Sequence, residues 1–180
     1  MRFKVFQTSK SKLLNIVQPS EAYFGQKDIS QCILVKSLVK DLFIPTKIIV
    51  CETVREHDGL AMSSRNVYLT LAERKAASIL YRGLSAAQSI FENMAFMNEK
   101  ATNEFLISEI MRIFGSEPLV TSVEYVSIAS PYDMTEISLF DEMKEGKKKG
   151  AVISAAIRVG KVRLIDNILV GDAKSVVFAS

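Results

Sequence analysis

The chain has 180 residues, 48% hydrophobic and 24% charged, with 23 basic against 20 acidic side chains and a net charge of +3, enough for one core or two small ones. Two cysteines, one histidine and no tryptophan leave no disulfide framework and no zinc-ligand set, and no basic stripe interleaved with aromatics marks a nucleic-acid binder. No apolar run reaches the roughly 18 residues of a membrane span, so neither nucleic acid nor membrane is expected as a partner.

The first twenty residues carry Arg2, Lys4, Lys10 and Lys12 and no acid, a superficial match to an organellar transit peptide. Residues 8–17, TSKSKLLNIV, read as a helix with Leu13, Leu14, Ile16 and Val17 toward a core and Lys10 and Lys12 outward; Gln18-Pro19 stops it. A short strand over 22–24 runs into Gly25. Asp28 is placed to cap the next helix, with Gln31 three residues on as in a capping box. That helix, over 29–42, is expected to bury Ile33, Leu34, Leu38 and Leu42 and to leave Lys36 and Lys40 wet. Pro45 ends the connection, and 47–50 supply a second strand. Cys32 and Cys51 sit in apolar runs and read as buried thiols.

Strand, helix and strand in that order imply a parallel, right-handed α/β unit, in which ligands gather at the carboxyl ends of the strands. Two loops emerge there. The first is 25–28; the second runs through REHDGLAMSSRNVY, residues 55–68, and gathers small residues, Ser63, Ser64 and Arg65 into one turn. Hydroxyls, backbone N–H groups and a guanidinium that grips two oxygens at once are the parts of an anion site. The alternative is an ordinary polar loop, because S-S-R-N alone is a weak pattern.

From Thr70 the texture changes. Thr70 and Glu73 form a capping box ahead of a long amphipathic helix through Ala76, Ile79, Leu80, Leu84, Ala87 and Ile90. A further helix covers 103–114 with Phe105, Leu106, Ile110, Met111 and Phe114 inward. Strands follow at 123–128, 151–159 and 162–165, and Gly160-Lys161 marks an antiparallel hairpin. Helices followed by adjacent antiparallel strands are an α+β arrangement, which divides the chain into 1–69 and 70–180. The lysines of 144–149 read as a solvated turn, Asp133, Asp141 and Glu142 as solvated surface, and 172–180 as an unassigned extension.

FGQKD followed by Gln31, then DGLAMSSRN about thirty residues later, together with KLLNIVQP and RLIDN, resembles the pantothenate synthetase (pantoate-beta-alanine ligase) family over residues 12–171 or so. The resemblance implies the C-terminal part of a Rossmann-like nucleotidyltransferase domain followed by a small α+β lid domain with an antiparallel sheet. It implies an ATP-dependent, magnesium-requiring, cytoplasmic ligase that joins pantoate to beta-alanine through a pantoyl adenylate and is homodimeric at full length. Carried over by position, Gly25, Gln26, Lys27 and Asp28 line the nucleotide, with Lys27 on phosphate and Asp28 on ribose. Gln31 holds pantoate, Val54 and Met62 border adenine, and Ser63, Ser64 and Arg65 bind phosphates.

Gln26 stands where many members have Glu, a change of small effect if its backbone makes the contact. The family's His-X-Gly-His signature has no counterpart, since the single histidine, His57, lies in the second loop. No catalytic residue or magnesium ligand is therefore assigned, and the chain is expected to be inactive or impaired alone. The other readings are a non-catalytic remnant that binds nucleotide or pairs with a full-length partner, and a relative acting on another acid, against which Gln31 argues.

Overall fold

The structure, a computed structural model, describes residues 2–97, 102–138 and 150–179, with side chains from residue 8 onward. Helix α1 (Arg2–Val17) ends where Gln18 takes a positive φ of 48° ahead of Pro19. Strand β1 (Glu21–Gly25), helix α2 (Ile29–Asp41) and strand β2 (Lys47–Cys51) follow. The two strands pair in parallel, from Glu21↔Lys47 to Gly25↔Cys51, as the strand–helix–strand order requires. The Thr46 hydroxyl donates to the Pro19 carbonyl at 2.8 Å and ties the two strand entries together.

Helix faces differ in part from their patterns. Among the described side chains of α1, from residue 8 onward, only Leu14 is buried, against Val35 and Ile48, while Leu13, Ile16 and Val17 are 53%, 80% and 59% exposed. A helix laid along one neighbour buries only the row facing it, and Leu14 is that row. Helix α2 buries Ile29, Cys32, Ile33 and Val35; Leu34 and Leu38 are half-buried and Leu42 is exposed. It is wedged between two clusters, with Val35 toward α1 and β2 and Cys32 and Ile33 toward the second half of the chain. Lys36 is not wet: its ammonium donates to the carbonyls of Val177 and Ala179 at 2.6 and 2.5 Å. Cys32 is buried and burial raises its thiol to about 11, but Cys51 is exposed, because strand alternation turns it away from the inward Val50.

The capping box at Thr70 and Glu73 is present and opens α3 (Leu71–Ala76). The long amphipathic helix breaks at Ala77 and Ser78, and α4 (Ile79–Phe96) carries the rest. Helix α5 (Asn103–Gly115) crosses it with Leu106, Ile110 and Phe114 buried. Phe105 and Met111 are exposed instead, since one i, i+4, i+8 row suffices for a single contact face. Gly83 permits the crossing, because a Cβ there would lie 2.5 Å from a Phe114 ring carbon.

Strands β3 (Val120–Ala129), β4 (Gly150–Val159) and β5 (Val162–Gly171) form an antiparallel sheet in the order β3-β4-β5. The β4–β5 hairpin turns at Gly160 and Lys161, with Gly160 at φ 55°, as the sequence indicates. β5 runs well past Ile165, so Asp166 and Asn167 fall inside it. The sheet is covered on both faces. Ile153, Ala155, Ile157, Leu164 and Ile168 meet α4 and α5, and Val152 and Leu169 meet Ile33 and Val50 of the parallel unit.

Residues 173–177 of the unassigned extension form a short helix, α6 (Ala173–Val177), whose Ala173 and Val177 are buried in that second cluster. A single turn and a half is too short to announce itself by periodicity. Residues 144–149, Asp141 and Glu142 lie outside the described residues. Asp133 is exposed and accepts from the Thr135 N–H and hydroxyl.

Candidate functional site

A 3-10 turn, Gln26–Asp28, links β1 to α2. Asp28 makes no side-chain cap hydrogen bond at α2, so the predicted capping box with Gln31 is absent. The turn is held from β5 instead. The Asn167 amide donates to the carbonyls of both Gln26 and Lys27 at 3.0 Å, and the buried Gln26 amide donates to Asn167 Oδ1 at 3.1 Å. Gln26 is therefore fixed by its side chain as well as placed by its backbone. Lys27 projects the other way, and its ammonium donates to the Met62 carbonyl at 3.2 Å.

The second loop is a small hairpin. Arg55 and Ala61 form a β-bridge, Glu56 N–H donates to Leu60 O at 2.8 Å and Met62 N–H to Val54 O at 3.0 Å. At its bend Gly59 has φ 87° and the Tyr81 ring occupies the space a side chain would need. Arg55 locks the hairpin to β5 through a forked pair with Asp166 at 2.5 and 3.1 Å, a 3.1 Å bond to the Gly59 carbonyl and a stack 4.1 Å over Tyr81. Arg74 grips Asp58 at 2.6 and 3.1 Å, and that hydrogen bonding holds the carboxyl below its usual range. Beyond the hairpin, Ser63 Oγ accepts from Arg65 N–H at 3.2 Å and starts the 3-10 turn Ser64–Tyr68.

Of the residues singled out from sequence, Lys27, Asp28 and Gln31 share a cleft of about 420 Å³ with Tyr125, Ser154 and Arg163. Val54 and Met62 are exposed neighbours at the hairpin's open end, reached by Lys27. Ser64 and Arg65 are exposed on the following turn, Ser63 is half-buried, and none of the three lines the cleft. Gly25 is exposed at the strand end and His57 on the hairpin. Burial lowers the affinity of Lys27 for its proton, and Arg65 and Arg55 push the same way against Asp166 and Asp28. Only Arg55 among these cations is matched by the forked carboxylate of Asp166, so the mouth between the loops carries surplus positive charge.

Sequence reasoning includes Arg55 in its second loop and Asp166 and Asn167 in RLIDN but gives no role to them or to Tyr81. A signal for two of them exists: adjacent polar residues inside the apolar run VRLIDNILV demand partners if the strand is buried.

The comparisons with known proteins cover most of the chain. The family model described as pantoate-beta-alanine ligase matches residues 1–169. The chain belongs to the pantoate-beta-alanine ligase family. It is 41% identical over 167 residues to the pantothenate synthetase of Herpetosiphon aurantiacus, covering 93% of this chain and 56% of the relative. It is also 38% identical over 175 residues to a bifunctional pantoate ligase/cytidylate kinase of Trichormus variabilis, covering 97% and 30%.

Among solved structures, a pantothenate synthetase from Thermus thermophilus superposes with a TM-score of 0.74 at 33% identity, over 90% of this chain and 54% of that one. A pantoate-beta-alanine ligase from Francisella tularensis, complexed with beta-gamma ATP and beta-alanine, gives 0.59 at 34% identity, over 91% and 49%. The α/β fold with its partial Rossmann-like unit and small α+β part is thus the ligase family's fold. The chain spans about half the length of the pantothenate synthetases it matches.

Proposed function

We propose that the chain supplies the nucleotide-clamping and pantoate-holding part of an ATP-dependent ligase that condenses pantoate with beta-alanine. In that reaction the pantoate carboxylate attacks the α-phosphate, pyrophosphate leaves, and the amine of beta-alanine displaces AMP from the pantoyl adenylate. Negative charge gathers on phosphate oxygens in the first step, and fixed cationic donors there lower the barrier. Lys27 and Arg65 are the donors, assisted by the Ser63 and Ser64 hydroxyls; Gly25, Gln26 and Asp28 border the nucleotide, Val54 and Met62 its base, and Gln31 faces pantoate.

The observation that carries this reading is the hydrogen bond from Lys27 to Met62, which joins the two sequence motifs at the mouth of the cleft that also holds Gln31. Among the described residues no three His, Cys, Asp or Glu side chains converge to hold a metal ion. No helix among the described residues is long and apolar enough to cross a membrane.

The exposed row Leu13, Ile16 and Val17 beside the two-stranded parallel sheet favours a second reading, in which the chain binds nucleotide while paired with another polypeptide. One experiment separates the two: calorimetric titration with ATP, then pantoate-dependent exchange of labelled pyrophosphate into ATP, with Lys27→Ala/Arg65→Ala as control. Binding with exchange supports the ligase reading; binding without exchange supports the second only where the chain elutes with a partner, and otherwise a ligase part that is impaired alone. No ATP binding by a folded chain overturns both.

A further inference from the structure

We infer that Asp166 and Asn167 are positioning residues that set the two nucleotide loops relative to each other from opposite faces of β5; the inference rests on the nucleotide reading above. Successive side chains of a strand point to opposite faces. Asp166 lies on the face of Leu164 and Ile168, toward α4, and there takes Arg55 in a fork that also touches the Gly59 carbonyl and Tyr81. Asn167 lies on the face of Leu169, toward α2, and there takes the carbonyls of Gln26 and Lys27. Adjacent residues on one strand thus hold the base of each loop.

The partners across the sheet leave room for this. Ala155 pairs with Asp166 and Ser154 with Asn167, both small. The side chain of Asp166 is 1% exposed and that of Arg55 19%, and Asn167 is 1% exposed, so neither anchor is a surface contact that water readily replaces. Both residues line the cleft, but the hydrogen bonds of their side chains run to protein groups. Both act through others: Asn167 fixes the backbone from which Lys27 projects, and Asp166 fixes the hairpin whose last carbonyl, Met62, Lys27 meets. With one anchor gone the loops keep their sequences but lose their mutual distance, and a polyphosphate that must touch both is weakened.

The test uses the whole chain and two readouts. In the ligand-free protein, hydrogen exchange at the amides of Glu56, Gly59 and Met62 should accelerate in Asp166→Asn while 28–31 stays unchanged. In Asn167→Ala the pattern should reverse. In calorimetry, each variant should bind ATP about tenfold more weakly, and adenosine more weakly too, because the proposed ribose contact at Asp28 and base contacts at Val54 and Met62 stand on the same two loops. Unaltered exchange, acceleration spread over the whole chain, or ATP affinity equal to the parent's in both variants would each overturn the inference and leave two ordinary structural residues. If the parent chain binds no ATP, the nucleotide reading fails while the exchange pattern still decides whether β5 anchors the loops.

Discussion

Lys27 and Met62, 35 residues apart, meet through one hydrogen bond of 3.2 Å from the ammonium to the backbone carbonyl. A neutral carbonyl is a modest partner for a half-buried cation, and a phosphate oxygen is a stronger one. On the proposed reading, the bond parks the amine where an incoming polyphosphate would displace the carbonyl while the two loops stay together.

Lys27→Ala and Arg65→Ala should each weaken ATP binding by tenfold or more, since a hydrogen bond to a charged group contributes about 1.5–3 kcal/mol. Arg65 is exposed and Lys27 lies at the cleft mouth, so thermal unfolding should move by no more than about 2 °C. Calorimetry beside a melting curve checks both. Unchanged ATP affinity in the two variants would remove the phosphate-clamp assignment.

The same lysine gives a pH dependence. Burial, with Arg65 and Arg55, places its proton affinity below that of an ordinary lysine. Phosphate binding needs the protonated amine, so ATP affinity should fall as pH rises through that lowered value, before the usual lysine range near about 10.4. Lys27→Arg keeps its charge there and should flatten the decline. Titrations between about pH 7 and 10 distinguish the two curves.

Asp58 and Arg74 predict a stability change at the acid end. The folded-state pKa of Asp58 is lowered by its hydrogen bond from Arg74, so the contribution is complete above the unfolded value, about 3.9, and is lost as pH falls through the folded value. With side chains 25% and 27% exposed, it amounts to about 0.5–1 kcal/mol. Urea unfolding of Asp58→Asn should show lower stability at neutral pH and a shallower loss below about pH 4.

Gly59→Ala should destabilise by about 1–3 kcal/mol, because it places a side chain at a φ of 87° and into the Tyr81 ring. Leu84→Ala, at a fully buried position of α4 outside both loops, should cost about 2–5 kcal/mol with ATP affinity unaltered in the folded protein. Gly59→Ala should lose both. Denaturant midpoints together with calorimetry decide.

The parallel unit, the hairpin at Gly160 and the Thr70 capping box are legible in sequence because each rests on local chemistry: alternation, a turn glycine, a reciprocal cap. The burial expected of Phe105, Met111, Ile16 and Val17 does not occur, because amphipathic spacing marks which residues share a face and not whether anything covers it. The anchoring of Lys36 on the carbonyls of α6 and its end depends on a contact across 141 residues, which no window of sequence displays. At the site, the family resemblance assigns roles to Lys27 and Gln31, and the composition of the second loop points to Arg65. Neither gives a role to Asp166 and Asn167, whose meaning depends on which face of β5 each occupies.

The bond from Gln26 to Asn167 also spans 141 residues, whereas the β4–β5 hairpin closes over the two residues Gly160 and Lys161. Short loops close first and long ones late. On the ribosome, both motif loops emerge well before β5 has been made, so an incomplete chain stopped short of Asp166 carries every residue proposed to touch nucleotide and none of the strand positions that hold their supports. Assembly of the cleft thus waits for the synthesis of β5, and ligand affinity becomes a readout of chains that have passed Asn167.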